Sequence, residues 1–222
     1  MKTIRTRLRF FILFSVFAAM LTLPVSCSKT KPEITYGFLK LVLYQGQGDE
    51  DPVEHFSFFI IPEDDEGIDN LDELFLFHDR EQLRWHIKSD EWISYTHDGK
   101  DWIGTRSISV NEGSLPRGVF RAVLVNKGGE SSQRNFTYDG VIRFPFPEIE
   151  ISEGRYTITS QWPVNHLVCY DRTGSFSRTI TLTSLSGSVS DLRLPSSVRT
   201  VVLWAEDEDN FCSAFTNAVS VN

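Results

Sequence analysis

The sequence predicts an all-β protein, built as two small β-sandwich domains behind an exported N-terminus. Three observations carry this. Residues 115–129 (LPRGVFRAVLVNKGG) read as a turn, a buried strand and a second turn. Short alternating runs bounded by Gly, Pro, Asn and Asp recur on both sides of that stretch. No segment sustains a helical pattern over the roughly 10–15 residues that the crossover helices of parallel βαβ units require.

The central stretch sets the pattern. Pro116 fixes its own φ and pushes Leu115 toward an extended conformation, and Gly118 relieves the turn. Phe120, Ala122 and Leu124 then share one apolar face, predicted to meet a core. Val119, Val123 and Val125 share the other face with Arg121, which is placed at a rim or over its valine neighbours. Residues 126–129 supply a turn, and residues 131–138 read as a polar partner or edge strand.

The chain has 222 residues, but residues 1–26 read as an export signal. Lys2, Arg5, Arg7 and Arg9 precede an apolar run from Phe10 to Leu23, broken only by Ser15 and Thr22. That run is short for a membrane span, which needs about 20 residues. Without the leader, which holds four bases and no acid, the chain's 22 bases against 30 acids become 18 against 30. Such acidity argues against a nucleic-acid groove and against broad attachment to anionic lipid.

The segment ending Leu23-Pro24-Val25-Ser26-Cys27 resembles a bacterial lipoprotein signal. Pro24 departs from the usual leucine at that place. The resemblance implies that Cys27 becomes the acylated first residue, and that the protein is held at the cell envelope, on the periplasmic or outer-surface side, with membrane lipid as its partner. Residues 27–32 would then be a tether.

Before the central strand, residues 34–45, 54–61, 82–88, 91–95 and 102–110 read as strands. In the first, Leu39, Leu41 and Leu43 share one face; Lys40, Val42 and Tyr44 share the other. Residues 71–77 fit a buried strand, with a short helix capped by Asn70 and Glu73 as the alternative. Gly104 predicts a bulge or a close backbone passage. Phe144-Pro145-Phe146-Pro147 is stiff and marks the joint between domains 33–141 and 142–222. Beyond it, residues 155–161, 166–170, 176–183, 188–194, 200–204 and 214–221 read as strands, with a hairpin turn at residues 171–174.

Pro116-x-Gly118 followed by Phe120 and a buried strand resembles immunoglobulin and fibronectin type III modules. The whole chain is similar to uncharacterised treponemal and other spirochaetal predicted lipoproteins. That resemblance implies a sandwich build and no particular functional residues.

Sites for chemistry are sparse. Cys169 and Cys212 are either bridged, as export allows, or buried as separate thiols. His78, His86, His97 and His166 have acidic neighbours but no HExxH or paired CxxC spacing, so no metal or other cofactor is expected. The acidic runs 64–69 and 206–210 lack the EF-hand pattern and read as loop charge. There is no G-x-S-x-G elbow, and the odd spacing of His166 and Cys169 turns them to opposite faces of a strand. Trp92, Trp102 and Trp162 are the aromatics expected to face a ligand; Trp204, in an apolar run, is expected in the core. The expected function is a membrane-anchored, non-catalytic module binding protein or glycan. A structural component that scaffolds an envelope complex is the alternative, followed by an envelope hydrolase.

Overall fold

The computed structural model describes residues 30–48 and 50–221. The export signal and residues 27–29 of the tether, Cys27 among them, lie outside these residues. Among the described residues, the compact unit from Lys31 onward contains sixteen strands. In order they are β1 (Glu33–Tyr44), β2 (Val53–Glu63), β3 (Leu71–His78), β4 (Leu83–Lys88), β5 (Ile93–His97), β6 (Lys100–Ile108), β7 (Gly118–Asn126) and β8 (Ser131–Tyr138). They continue as β9 (Glu148–Ser152), β10 (Arg155–Thr159), β11 (Val164–Asp171), β12 (Phe176–Thr181), β13 (Ser186–Ser188), β14 (Val198–Asp207), β15 (Cys212–Phe215) and β16 (Val219–Ser220).

One nine-stranded sheet organises the unit, in the order β12-β11-β14-β15-β1-β2-β6-β5, with β16 added beside β14. Two smaller sheets accompany it: four strands in the order β4-β3-β7-β8, and three in the order β13-β10-β9. The large sheet is mixed because β1 runs parallel to β15, with Leu41 beside Cys212 and Leu43 beside Ala214. Strands from both sides of residue 141 therefore share one sheet, and two discrete sandwiches are not delineated.

Residues directly opposite in a ladder point to the same face, which lets side-chain direction be followed across the sheet. On its inner face, Leu39, Leu41, Phe56, Phe58, Ile60 and Ile103 pack with Leu74, Leu76, Phe120, Ala122 and Leu124 of the four-stranded sheet. Farther along the same face, Leu167, Cys169, Val201 and Leu203 pack with Tyr156 and Ile158 of the three-stranded sheet. One sheet thus backs two cores.

The central stretch occupies β7 with the alternation its sequence predicts: Phe120, Ala122 and Leu124 are fully buried. Arg121 reaches Asp79 with two hydrogen bonds of 2.9 and 2.7 Å, its guanidinium 4.4 Å from the Phe77 ring centre. Residues 71–78 form a strand, buried at Leu71, Leu74 and Leu76. A Cβ at Gly104 would stand 2.0 Å from the Phe58 carbonyl oxygen, so the close passage is real.

Some boundaries differ from the sequence reading. Residues 188–194 are mainly a 3-10 turn and the following loop, because the Ser188 hydroxyl accepts from the Ser190 amide and starts the turn. β9 was not expected; its alternation of Ile149 and Ile151 with acids is short and directly precedes the Glu153-Gly154 turn, where both residues have positive φ.

Candidate functional site: the outer aromatic face

The same alternation that buries Leu39, Leu41 and Leu43 turns Tyr36, Phe38, Lys40, Val42 and Tyr44 outward. Opposite them stand His55, Ser57 and Phe59 of β2. On β6 and β5, Trp102 and Tyr95 face each other across the ladder. On the other side of β1, Phe215 and Trp204 continue the face to His166.

Two ring clusters result. In the first, Trp102 lies parallel to Tyr95 with ring centres 6.2 Å apart, meets Tyr36 edge-on at 5.9 Å, and lies 5.6 Å from Phe38. Phe59 is buried beneath, 5.9 Å from Phe38 and 5.5 Å from Tyr95. Tyr36 and Tyr95 remain exposed, at 53% and 40%. In the second, Phe215 stacks between Tyr44 and Trp204, at 5.8 Å from each, and His166 lies 4.6 Å from Trp204. Such offset and edge-on contacts stabilise large rings beyond what burial of their area contributes.

Between the clusters is a depression of about 300 Å³, lined by Phe38, Lys40, Val42, Tyr44, Ser57, Phe59, Tyr95, Arg106, Trp204, Ser213 and Phe215. Lys40 is paired with Glu206, and its ammonium lies 5.8 Å from the Trp204 ring centre. Glu206 is also 3.9 Å from His166 Nε2. Arg106 is exposed and makes no ion pair or hydrogen bond among the described residues, although its charge acts on the Tyr44 and Tyr95 hydroxyls. Burial raises both phenols above their usual value, and Arg106 partly offsets this. Burial also holds His55 below the usual imidazole value.

The three tryptophans expected at a ligand surface are dispersed. Trp102 is on the outer face. Trp92 is half-buried against the first core. Trp162 is buried; its Nε1 donates to the Pro145 carbonyl at 2.9 Å and its ring lies 5.9 Å from Phe144. Trp204 stands on the outer face and not in the core, because its neighbour Leu203 takes the inward position. Tyr36, Tyr95 and Arg106 were not singled out from the sequence; strict alternation from the core positions of β1 and β6 would have placed Tyr36 and Arg106 outside, whereas β5 has no buried residue from which to place Tyr95.

Of the two alternatives for Cys169 and Cys212, separate buried thiols hold: both are free and buried, in different cores. Cys169 stands opposite Val201 and Cys212 opposite Asp207 on β14. Six residues of strand separate those positions, roughly 20 Å, far beyond disulfide reach. Burial, then the Asp207 charge, push the Cys212 thiol up to about 11. Burial also raises Cys169.

Among the described residues, no group of three or more His, Cys, Asp or Glu is placed to hold a metal. The acidic runs stitch turns instead. Asp207 accepts from the Asn210 side chain at 2.7 Å and from its amide at 3.3 Å. Asp64 accepts from Asn70, the Glu66 amide and Asn126. Burial works to raise Asp64, but these hydrogen bonds outweigh it and leave the carboxyl below its usual range. His86 bonds Glu73 at 2.9 Å across β3 and β4, and Trp85 points to the opposite side, bonding the Ser109 carbonyl.

These features define an all-β, sandwich-type chain with a ring-rich outer sheet face. No protein-family model matches the sequence, and no curated protein matches it. Among solved structures, the chain is similar to Tp47, the 47-kilodalton lipoprotein of Treponema pallidum, at 11% identity and a TM-score of 0.41, covering 84% of this chain and 50% of that one. It is also similar to latent dimeric PorU of Porphyromonas gingivalis, at 14% identity and a TM-score of 0.31, covering 86% of this chain and 20% of that one. A third is a chain of the complex of Dpr11 IG1 bound to DIP-gamma IG+IG2, at 12% identity and a TM-score of 0.26, covering 86% of this chain and 98% of that one. The chain spans half of the Tp47 structure and a fifth of the PorU structure. Likeness at this level concerns strand architecture and carries no argument about activity.

Proposed function

We propose that this chain is a non-catalytic binding module of the cell envelope, tethered by lipid on Cys27, that contacts a protein or glycan through its outer aromatic face. The observation that carries the reading is the cluster of Tyr36, Trp102 and Tyr95, two of whose rings are exposed above a buried Phe59. A contiguous exposed ring surface on one face of a rigid sheet is a recognition feature. The tether and the envelope location rest on the N-terminal sequence. Among the described residues no helix is long and apolar enough to cross a membrane.

Proximity labelling in native membranes tests the reading. The wild-type chain is expected to mark a reproducible set of neighbours, lost when Tyr36 and Tyr95 are both changed to Ser. Unchanged labelling by that variant, or a reproducible turnover product released by the purified protein, contradicts it.

A further inference from the structure

The depression between the two ring clusters has a charge opposite to that of the chain around it. The protein carries 30 acidic residues against 22 basic ones. Yet the charged groups lining this depression are Lys40 and Arg106, and the adjacent carboxylate of Glu206 is held by Lys40. The Arg106 guanidinium is the group left for a ligand: it is exposed, beside Tyr44 and Tyr95, and has no partner among the described residues. A planar guanidinium takes a carboxylate with two parallel hydrogen bonds.

The rest of the lining selects the body of the ligand. Tyr95, Phe38, Tyr44, Phe215 and Trp204 present rings around a floor of Val42 and Phe59, with the Ser57 and Ser213 hydroxyls between them. Apolar walls with a few placed polar groups suit a compact, ring-shaped ligand. An extended peptide is disfavoured, because this is the side-chain face of a sheet whose central strands are already paired on both sides, with no free backbone ladder to join.

Resting on the binding reading above, we propose that this depression binds an acidic glycan, with a sugar carboxylate on Arg106 and sugar rings against Tyr95 and its aromatic neighbours. Arg106 fixes the acid and the rings fix the sugar.

The test is calorimetric titration of the full, detergent-solubilised chain with three probes. These are a hexasaccharide of alternating glucuronate and N-acetylglucosamine, the same oligosaccharide with its carboxyls reduced to alcohols, and a glutamate-rich peptide. The acidic hexasaccharide is expected to bind, more tightly at low salt. Reducing its carboxyls, or making Arg106→Gln, is expected to weaken binding about tenfold, the scale of one charge-assisted pair. Arg106→Gln should leave the melting temperature unchanged, since the side chain has no partner to lose. Equal binding of the reduced sugar, equal or better binding of the peptide, or undiminished affinity in Arg106→Gln overturns the proposal. So does failure of the acidic hexasaccharide to bind. If the chain then still marks neighbours through Tyr36 and Tyr95, the acidic-glycan assignment alone has failed.

Discussion

Leu41, in the first strand, lies beside Cys212, in the second-to-last, within a parallel ladder that joins the two ends of the described chain. The first core consequently includes Trp162, Ala205, Cys212 and Ala214 from the C-terminal half. Residues 33–141 alone would lose these groups and expose the Leu41–Tyr44 edge of β1. A chain ending at residue 141 is therefore expected to show no cooperative unfolding transition by near-ultraviolet circular dichroism. A sharp transition in that fragment would mean that the half folds by itself.

Arg117 and Glu54 form the next tie. The guanidinium bonds both Glu54 oxygens, at 3.1 and 3.2 Å, and the Gly140 carbonyl at 3.2 Å, and lies 5.4 Å from the Tyr138 ring centre. Glu54 also accepts from the Leu115 amide at 2.8 Å. Removing one partner strands the other in a mostly buried setting, so Arg117→Met is expected to cost about 3 kcal/mol in urea unfolding. The double variant with Glu54→Gln should cost less than the sum of the two single changes. Strict additivity would show that the two groups act independently.

The two buried thiols predict a chemical signature. Neither Cys169 nor Cys212 should react with a thiol reagent in the folded protein, and both should react in denaturant without any reductant. Mass spectrometry of the labelled protein reads this directly. Two labels missing after denaturation would restore the bridge.

The Cys212 thiol also sets an alkaline limit. Its usual value is 9.0 and its folded value about 11, so the unfolded chain loses this proton first as pH rises. Stability from this group is complete below pH 9 and declines between about pH 9 and pH 11. Tyr138, raised mainly by burial, works in the same direction. The urea midpoint should fall across that window, and Cys212→Ala should make the fall shallower. An unchanged slope in the variant would remove Cys212 from the account.

Much of the strand pattern was legible because local alternation reports burial. Leu39, Leu41 and Leu43 are inward as their spacing demands, and Asp171 through Gly174 turn as their composition predicts, with Asp171 Oδ1 accepting from the Thr173 and Ser175 amides. Strand pairing was not legible. Nothing local to residues 33–44 indicates that the last third of the strand, Leu41 to Tyr44, will meet β15, more than 160 residues away. The site shared this fate. Arg106 and Trp204 are unremarkable in sequence and meet only because β6 and β14 lie on opposite sides of β1 and β2 or β15 in one sheet. Trp162 misled because a tryptophan before proline resembles a loop residue, whereas the Pro145 carbonyl gives its indole a buried partner.

Site-specific photo-crosslinking most directly tests whether the outer face is the working surface. A photoreactive residue is placed at Tyr95, on that face, or at exposed Val119 on β7, on the solvent side of the four-stranded sheet. In intact envelopes, position 95 is expected to give a discrete adduct and position 119 none. An adduct at 119 with none at 95 would contradict the account.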